Sequence, residues 1–422
     1  MKVAVVGGGS TYTPELIDGF ARLRGQLGAA GTVDELVLID PATDRLDVIG
    51  PFGRRIFARY GHPGTLTWTA DLDAGVSGAD VVLIQLRVGG QRARISDETF
   101  PGKVDSVGQE TVGAGGLAKA LRTVPVVLDV ARRARARAAD GAWIIAFTNP
   151  VGIVTRALLD DGHRAVGLCN VAIGLQRRFA ALLDVPPDSV LLDHVGLNHL
   201  TWERAAVVDG VDRLPELLAE HGKQLAEQVQ IPQGILELTG TVPSYYLRYF
   251  YCHDEVVAEQ RRTPTRGARV ADIERELLAM YADPTLDTKP ALLSERGGAF
   301  YSEAAVGLLA SLRGDDGGVH AANVRNDGTF ATLPDDAVIE VSCAVGANGA
   351  LPLPTSPLAP DIAGLVAHHS GYEELAFDAA RRGGRDRVFH ALLAHPLIGQ
   401  ADLADRLTDQ LLAANAAYLG WA

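Results

Sequence analysis

Through the first 170 residues, six short apolar runs alternate with stretches of helical periodicity, and no other feature restricts the fold as much. The runs are KVAVVG at the start, ELVLID at 35–40, LTWTA at 66–70, DVVLIQL at 80–86, AWIIAFTN at 142–149 and AVGLC at 165–169. Nearly continuous apolar strands are buried on both faces, the condition met in a parallel sheet covered by helices. ELIDGFARLRGQL and GGLAKALRTVPVVLDVARRARARAA supply helices between them. From residue 171 the pattern loosens: helices predominate, with strand candidates at 189–194, 200–208 and 337–344. The expectation is an α/β chain, with a Rossmann-like doubly wound parallel sheet over 1–170 and an integral α+β second lobe over 171–422.

Composition excludes several classes of function. The net charge of −13 leaves no basic surface to offset phosphate repulsion, so nucleic acid is not an expected partner. The one basic cluster, Arg132, Arg133, Arg135 and Arg137, falls late in a helical pattern, where it suits the negative end of the dipole. Three widely spaced cysteines, Cys169, Cys252 and Cys343, form no disulfide framework and suit a reducing cytoplasm. The chain opens on a strand instead of a signal peptide, and no apolar run reaches the roughly 18–20 residues that cross a bilayer. A cytoplasmic protein without a membrane partner is therefore expected.

The first strand runs into GGGSTYTPEL. Gly7, Gly8 and Gly9 permit a sharp turn and close approach of a pyrophosphate, while Ser10 and Thr11 can donate hydroxyl protons at a helix start. Asp40, closing the second strand, is placed to accept from adenosine ribose hydroxyls, which favours NAD over NADP. The helix nevertheless opens on Ser-Thr-Tyr-Thr-Pro, where a common dehydrogenase has a third glycine. Past the fourth strand, LRVGGQRARISDETF carries Arg87, Arg92 and Arg94 toward the ligand side of an open sheet; guanidinium groups suit phosphate or carboxylate. GQETVGAGGL holds Gln109, Glu110 and Thr111, equally suited to capping the next helix. FTNP puts the Asn149 amide at the end of the fifth strand, in a turn or on a ligand. GLCN and GLNHL place Cys169 and His199 in similar settings, and these two donor types hold borderline divalent metals. Spacing alone favours an incidental pair, because a structural zinc site takes four ligands. PSYYLRYFY reads mainly as aromatic packing. A tyrosine in it becomes a base only where cations lower its pKa from about 10, and Arg266 in TPTRGARV is a possible neighbour.

Taken together and in this order, GGGSTYTPEL, the arginine loop, GQETVGAGG, FTNP, GLCN, GLNHL and YLRY…TR resemble the NAD- and divalent-metal-dependent glycosidases of glycoside hydrolase family 4, most closely its 6-phospho-β-glucosidases. The resemblance implies a lactate/malate dehydrogenase-like sheet, with NAD and a metal, most readily Mn²⁺, as cofactors. Most glycosidases work with two carboxylates, and NAD-dependent family 4 is an exception. Its implied chemistry is hydride removal from sugar C3, proton removal from C2, elimination of the aglycone, water addition and hydride return. On this resemblance Cys169 and His199 hold the metal and Tyr246 is the C2 base. Arg94, Asn149, Asn170 and Arg266 contact substrate, and Glu110 lies near metal and sugar. Relatives that cleave α-glucosides carry Asp where this chain has Asn170, which cannot supply a proton at neutral pH. The phosphorylated β-sugar is thus the expected substrate. Ala172 stands where the β-specific relatives show Pro, which bears on substrate range.

The alternatives are a 6-phospho-α-glucosidase or an unphosphorylated-glycoside hydrolase of the same family. Outside it stand a lactate/malate-type NAD dehydrogenase and a regulator that binds ligand without turnover. A homodimer or homotetramer is expected.

Overall fold

The computed structural model describes residues 1–28, 32–298 and 300–421. Six parallel strands form the centre: β1 (Lys2–Val6), β2 (Glu35–Ile39), β3 (Thr65–Thr69), β4 (Val81–Ile84), β5 (Trp143–Ala146) and β6 (Ala165–Gly167). Their spatial order, β3-β2-β1-β4-β5-β6, reverses between β1 and β4, which is the switch point of a doubly wound sheet. Five lie within the apolar runs, trimmed at the ends, and β3 begins one residue before its run, at Thr65.

Side chains of these strands alternate between two cores. Val3, Val5, Leu36, Leu38 and Leu83 pack on one face with Leu16, Ile17 and Phe20 of the helix Thr13–Arg22. Ala4, Val6, Val37, Ile39 and Ile84 pack on the other with Leu117, Leu121 and Val124 of the helix Gly113–Arg137. Full burial of both faces explains why the strands read as continuous apolar runs.

The second half also builds on this sheet. β11 (Gly318–Arg325) pairs antiparallel with β6 through Asn323 and Gly167, and β12 (Val338–Gly346) and β13 (Gly349–Pro352) follow outward. A separate antiparallel sheet contains β7 (Leu191–Leu197), β8 (Leu200–Val208), β9 (Val211–Asp212) and β10 (Val242–Pro243). β7 begins two residues later than the sequence suggests because Pro187–Ser189 forms a 3₁₀ turn. It then continues to Leu197, which delivers the next turn to the site. The Arg132–Arg137 cluster is on the surface, where Asp161 and Asp73 pair with Arg132 and Arg133. Among the described residues no helix is long and apolar enough to cross a membrane.

Candidate active site

The loops following β4, β5 and β6 meet the β7–β8 turn around a cavity of about 600 Å³. Arg87, Arg94, Glu110, Asn149, Cys169, Asn170, His199, Tyr246 and Arg266 all line it, so these sequence candidates converge. Arg92 does not. Residues Gly90–Thr99 form a helix, in which two positions turn the side chain by roughly 200°. Arg92 is therefore exposed and reaches the Tyr418 hydroxyl at 3.4 Å, which corrects the reading of three convergent arginines.

At one end of the cavity, Cys169 follows β6 and His199 sits in the β7–β8 turn. His199 has φ +64°, a left-handed conformation uncommon for a side-chain-bearing residue and typical of functional sites. Its ring stacks on Tyr246 with centroids 3.5 Å apart and planes at 6°. Burial lowers the His199 pKa to about 4, so the imidazole is neutral, as a metal ligand must be. Burial and then the Glu340 carboxylate raise the Cys169 thiol. Backbone N–H groups of Val171 and Asn170 and the Asn198 side chain oppose the shift by donating to the sulfur. Among the described residues no three His, Cys, Asp or Glu side chains form a metal cluster. A cation here would thus have two protein donors and positions left for other oxygens. Tyr246 is raised by burial, then by Cys169 and Glu110. Arg94, not Arg266, is the cation that opposes this.

Behind this end lies a buried chain: His194 Nδ1 to Glu203 at 2.7 Å, His194 Nε2 to Glu340 at 3.1 Å, and Glu340 to the Asn198 amide at 2.7 Å. Burial pulls the His194 pKa down, but the two carboxylates outweigh it and push it up to about 10. The folded-state pKa thus exceeds the unfolded value of about 6.5. The stabilisation is complete below about pH 6.5 and lost as pH rises through about 10. Thermal melts of His194→Gln against the wild-type chain should differ most at pH 6 and converge toward pH 10. A difference that grows with pH would contradict the ionic assignment.

The middle of the cavity carries charge. Glu110 pairs with Arg87, with Arg94 at 3.2 Å and with Lys119 at 2.7 Å. Burial favours its neutral form, yet these cations hold its carboxyl well below the usual range. Arg94 also donates to Glu98 at 2.8 Å, and Glu98 accepts the Gly267 N–H at 2.6 Å. Arg266 is thereby brought opposite Arg94; burial and that facing cation both disfavour its charge. Two guanidinium groups lining one cavity in this way make a place for an anion. Asn149 Oδ1 is buried without a hydrogen-bond partner, an orphan acceptor on the same wall.

The glycine turn lies beside the cavity, and only its Tyr12 joins the lining. Gly7 has φ +90°, and a Cβ there would sit 2.8 Å from the Gln85 carbonyl oxygen. At Gly9 a Cβ would meet Asp40 Cγ at 2.8 Å, and Gly8 is equally tight against Leu38. The Asp40 carboxylate accepts the Gly9 N–H at 3.0 Å and the Ala42 N–H at 2.9 Å. The helix Thr13–Arg22 starts with no side-chain cap. Arg296 donates to the Thr11 hydroxyl at 2.9 Å and to Ser10 at 3.4 Å, and Glu274 holds it at 2.9 Å. Glycines too close-packed for a side chain, an uncapped helix start and a tethered cation make this turn suited to a pyrophosphate. Arg296 and Glu274 escape a reading of the sequence. Glu274 looks like one more surface charge on an amphipathic helix, and Arg296 stands in a loop with no motif.

Comparison with known proteins decides the lineage. The family 4 glycosyl hydrolase model matches residues 2–185, and the family 4 glycosyl hydrolase C-terminal domain matches residues 194–398. A probable 6-phospho-beta-glucosidase of Bacillus subtilis is 35% identical over 99% of this chain and 97% of its own. This chain belongs to glycosyl hydrolase family 4. A solved family 4 structure, the 6-phospho-beta glucosidase of Thermotoga maritima with manganese, NAD+ and glucose-6-phosphate, superposes with a TM-score of 0.91. It shares 30% identity, over 99% of each chain. The dehydrogenase-like sheet of this family 4 chain also appears in the malate dehydrogenase of Plasmodium falciparum. That likeness, a TM-score of 0.54 at 14% identity over 90% of this chain and 99% of the other, concerns the fold alone.

Proposed function

We propose that this family 4 chain hydrolyses 6-phospho-β-glucosides with NAD⁺ and a divalent metal held by one thiolate and one imidazole, donors that a borderline divalent metal accepts. Mn²⁺ is assigned because the Thermotoga maritima relative was solved with manganese. The observation that carries the reading is the joining, in one cavity, of Cys169, His199 and Tyr246 with the facing pair Arg94 and Arg266. Family membership and the relatives named above support it. When bound, NAD⁺ supplies a reversible oxidation at sugar C3, and the metal stabilises negative charge on the neighbouring sugar oxygens.

The chain's own groups then have separate tasks. Gly7, Gly8, Gly9, Ser10 and Thr11 cradle the dinucleotide phosphates. Asp40 accepts a ribose hydroxyl and repels a 2′-phosphate. Cys169 and His199 hold the metal. Arg94 and Arg266 take the 6-phosphate, and Asn149 Oδ1 accepts from a sugar hydroxyl. Tyr246 removes the C2 proton once cationic charge at the neighbouring donor pair lowers its pKa. Glu110 fixes Arg87 and Arg94 and balances their charge. Asn170 contacts the sugar beside Cys169; as an amide it has no acidic proton for a leaving group, which favours the β-substrate. Residues 1–170 carry the dinucleotide and residues 171–422 bring His199, Tyr246 and Arg266 to it. The chain works in the cytoplasm as a homodimer or homotetramer. The exposed row Val319 and Leu351, joined across β12 at Ala344, gives an apolar surface for self-association.

The test is nitrophenol release from p-nitrophenyl β-glucoside 6-phosphate with NAD⁺ and Mn²⁺ each present or withheld. Release that needs both, and is faster than from the α-anomer or the unphosphorylated sugar, is expected. Net NADH accumulation with a hydroxy acid and no nitrophenol would instead favour a dehydrogenase.

A further inference from the structure

Thr111 stands where a helix cap is plausible, yet it caps nothing. The helix Gly113–Arg137 starts from Val112 with no side-chain cap. The Thr111 hydroxyl lies instead 2.9 Å from His199 Nδ1 and 2.7 Å from Gln109 Oε1. The direction of both bonds follows from a third. The Thr111 backbone N–H, which can only donate, also meets that Gln109 atom, so it is the amide's oxygen and not its nitrogen. A carbonyl oxygen only accepts, and the single hydroxyl proton of Thr111 therefore goes to Gln109. The hydroxyl must then accept from His199. That places the imidazole proton on Nδ1 and the lone pair on Nε2, which has no hydrogen-bond partner among the described residues.

We propose that Gln109 and Thr111 are positioning residues for the metal site: their relay to His199 fixes the tautomer that presents Nε2 to a divalent cation. This rests on the reading of His199 as a metal ligand. Stacking on Tyr246 sets the plane of the ring, and the Thr111 contact sets its rotation within that plane. The opposite tautomer would put a proton where the cation must bind. Supporting hydrogen bonds of this kind are worth about 10–100-fold in metal affinity. The intervening Glu110 turns to Arg87, Arg94 and Lys119, so one tripeptide serves both the metal end and the charged middle of the cavity.

The experiment is Mn²⁺ titration of the full chain, followed by the electron paramagnetic resonance signal of free Mn²⁺, with NAD⁺ affinity measured alongside as a check on folding. The variants are Thr111→Val, Thr111→Ser, Gln109→Leu and His199→Ala. Thr111→Val should weaken Mn²⁺ about 10–100-fold while Thr111→Ser, which restores the hydroxyl, stays close to wild type. Gln109→Leu leaves Thr111 in place but frees its proton for Nδ1, so it should weaken Mn²⁺ too. In ¹⁵N imidazole spectra of the metal-free chain, Gln109→Leu should move the His199 proton from Nδ1 to Nε2. Unchanged Mn²⁺ affinity in Thr111→Val and Gln109→Leu, with binding lost in His199→Ala, would overturn the relay alone. Equal weakening in Thr111→Val and Thr111→Ser would overturn it in favour of packing. Wild-type affinity in His199→Ala would overturn the ligand reading and the relay with it.

Discussion

Tyr246→Phe should lower turnover of the phosphorylated β-glucoside by about 10²–10⁴-fold, the usual contribution of a positioned base, while Mn²⁺ and NAD⁺ affinities hold. The substitution removes one oxygen and keeps the ring that stacks on His199. The surroundings explain why this phenol needs help. Burial, Cys169 and Glu110 all favour its protonated form, and Arg94 opposes them. Charge arriving at the Cys169 and His199 donors tips that balance. Steady-state rates with separate binding titrations check it: a fall in turnover with both affinities preserved supports the base. A Phe variant with wild-type turnover would remove Tyr246 from the chemistry.

Cys169→Ala should act differently, by cutting Mn²⁺ affinity by on the order of 10²-fold or more. That exceeds the cost of losing a merely supporting partner, because a donor itself is gone. The three N–H donors of Val171, Asn170 and Asn198 that face the sulfur would lose their acceptor. Gly7 to Thr11 do not line the cavity that Cys169 lines, so NAD⁺ binding should persist. Calorimetric titration with Mn²⁺, then with NAD⁺, separates the two. Loss of both affinities together would indicate collapse of the site instead of loss of a ligand.

The parallel core was legible because its inner strands are buried on both sides, leaving runs such as VVLI with no polar interruption, while the edge strand β3 is partly exposed and alternates. β11 was not, since its sequence GVHAANVR carries the residues that serve the interior of the lobe: His320 meets Ser311 and Asn323 meets Glu340. Such a strand has neither a continuous run nor a clean alternation. Within the site, Cys169 and Asn149 stand just past β6 and β5, where an open sheet binds ligands. His199, in the turn of the antiparallel sheet, and Arg94, inside the helix Gly90–Thr99, take their roles only from the family resemblance. Lys119 could not. It lies in the second turn of the helix Gly113–Arg137 and reads as a surface charge, yet it is buried against Glu110. Thr111 was seen, but sequence could not choose between a cap and a long-range contact, since His199 is 88 residues away.

Proton removal at C2 is the step that separates this account from direct displacement by water, and the product records it. The phosphorylated β-glucoside should be cleaved in D₂O with NAD⁺ and Mn²⁺, and the glucose 6-phosphate examined by NMR before it exchanges. If Tyr246 takes the C2 proton and water is added back, the product carries solvent deuterium at C2. Glucose 6-phosphate with its original hydrogen at C2 would mean that the bond breaks without deprotonation, and the central claim would fail.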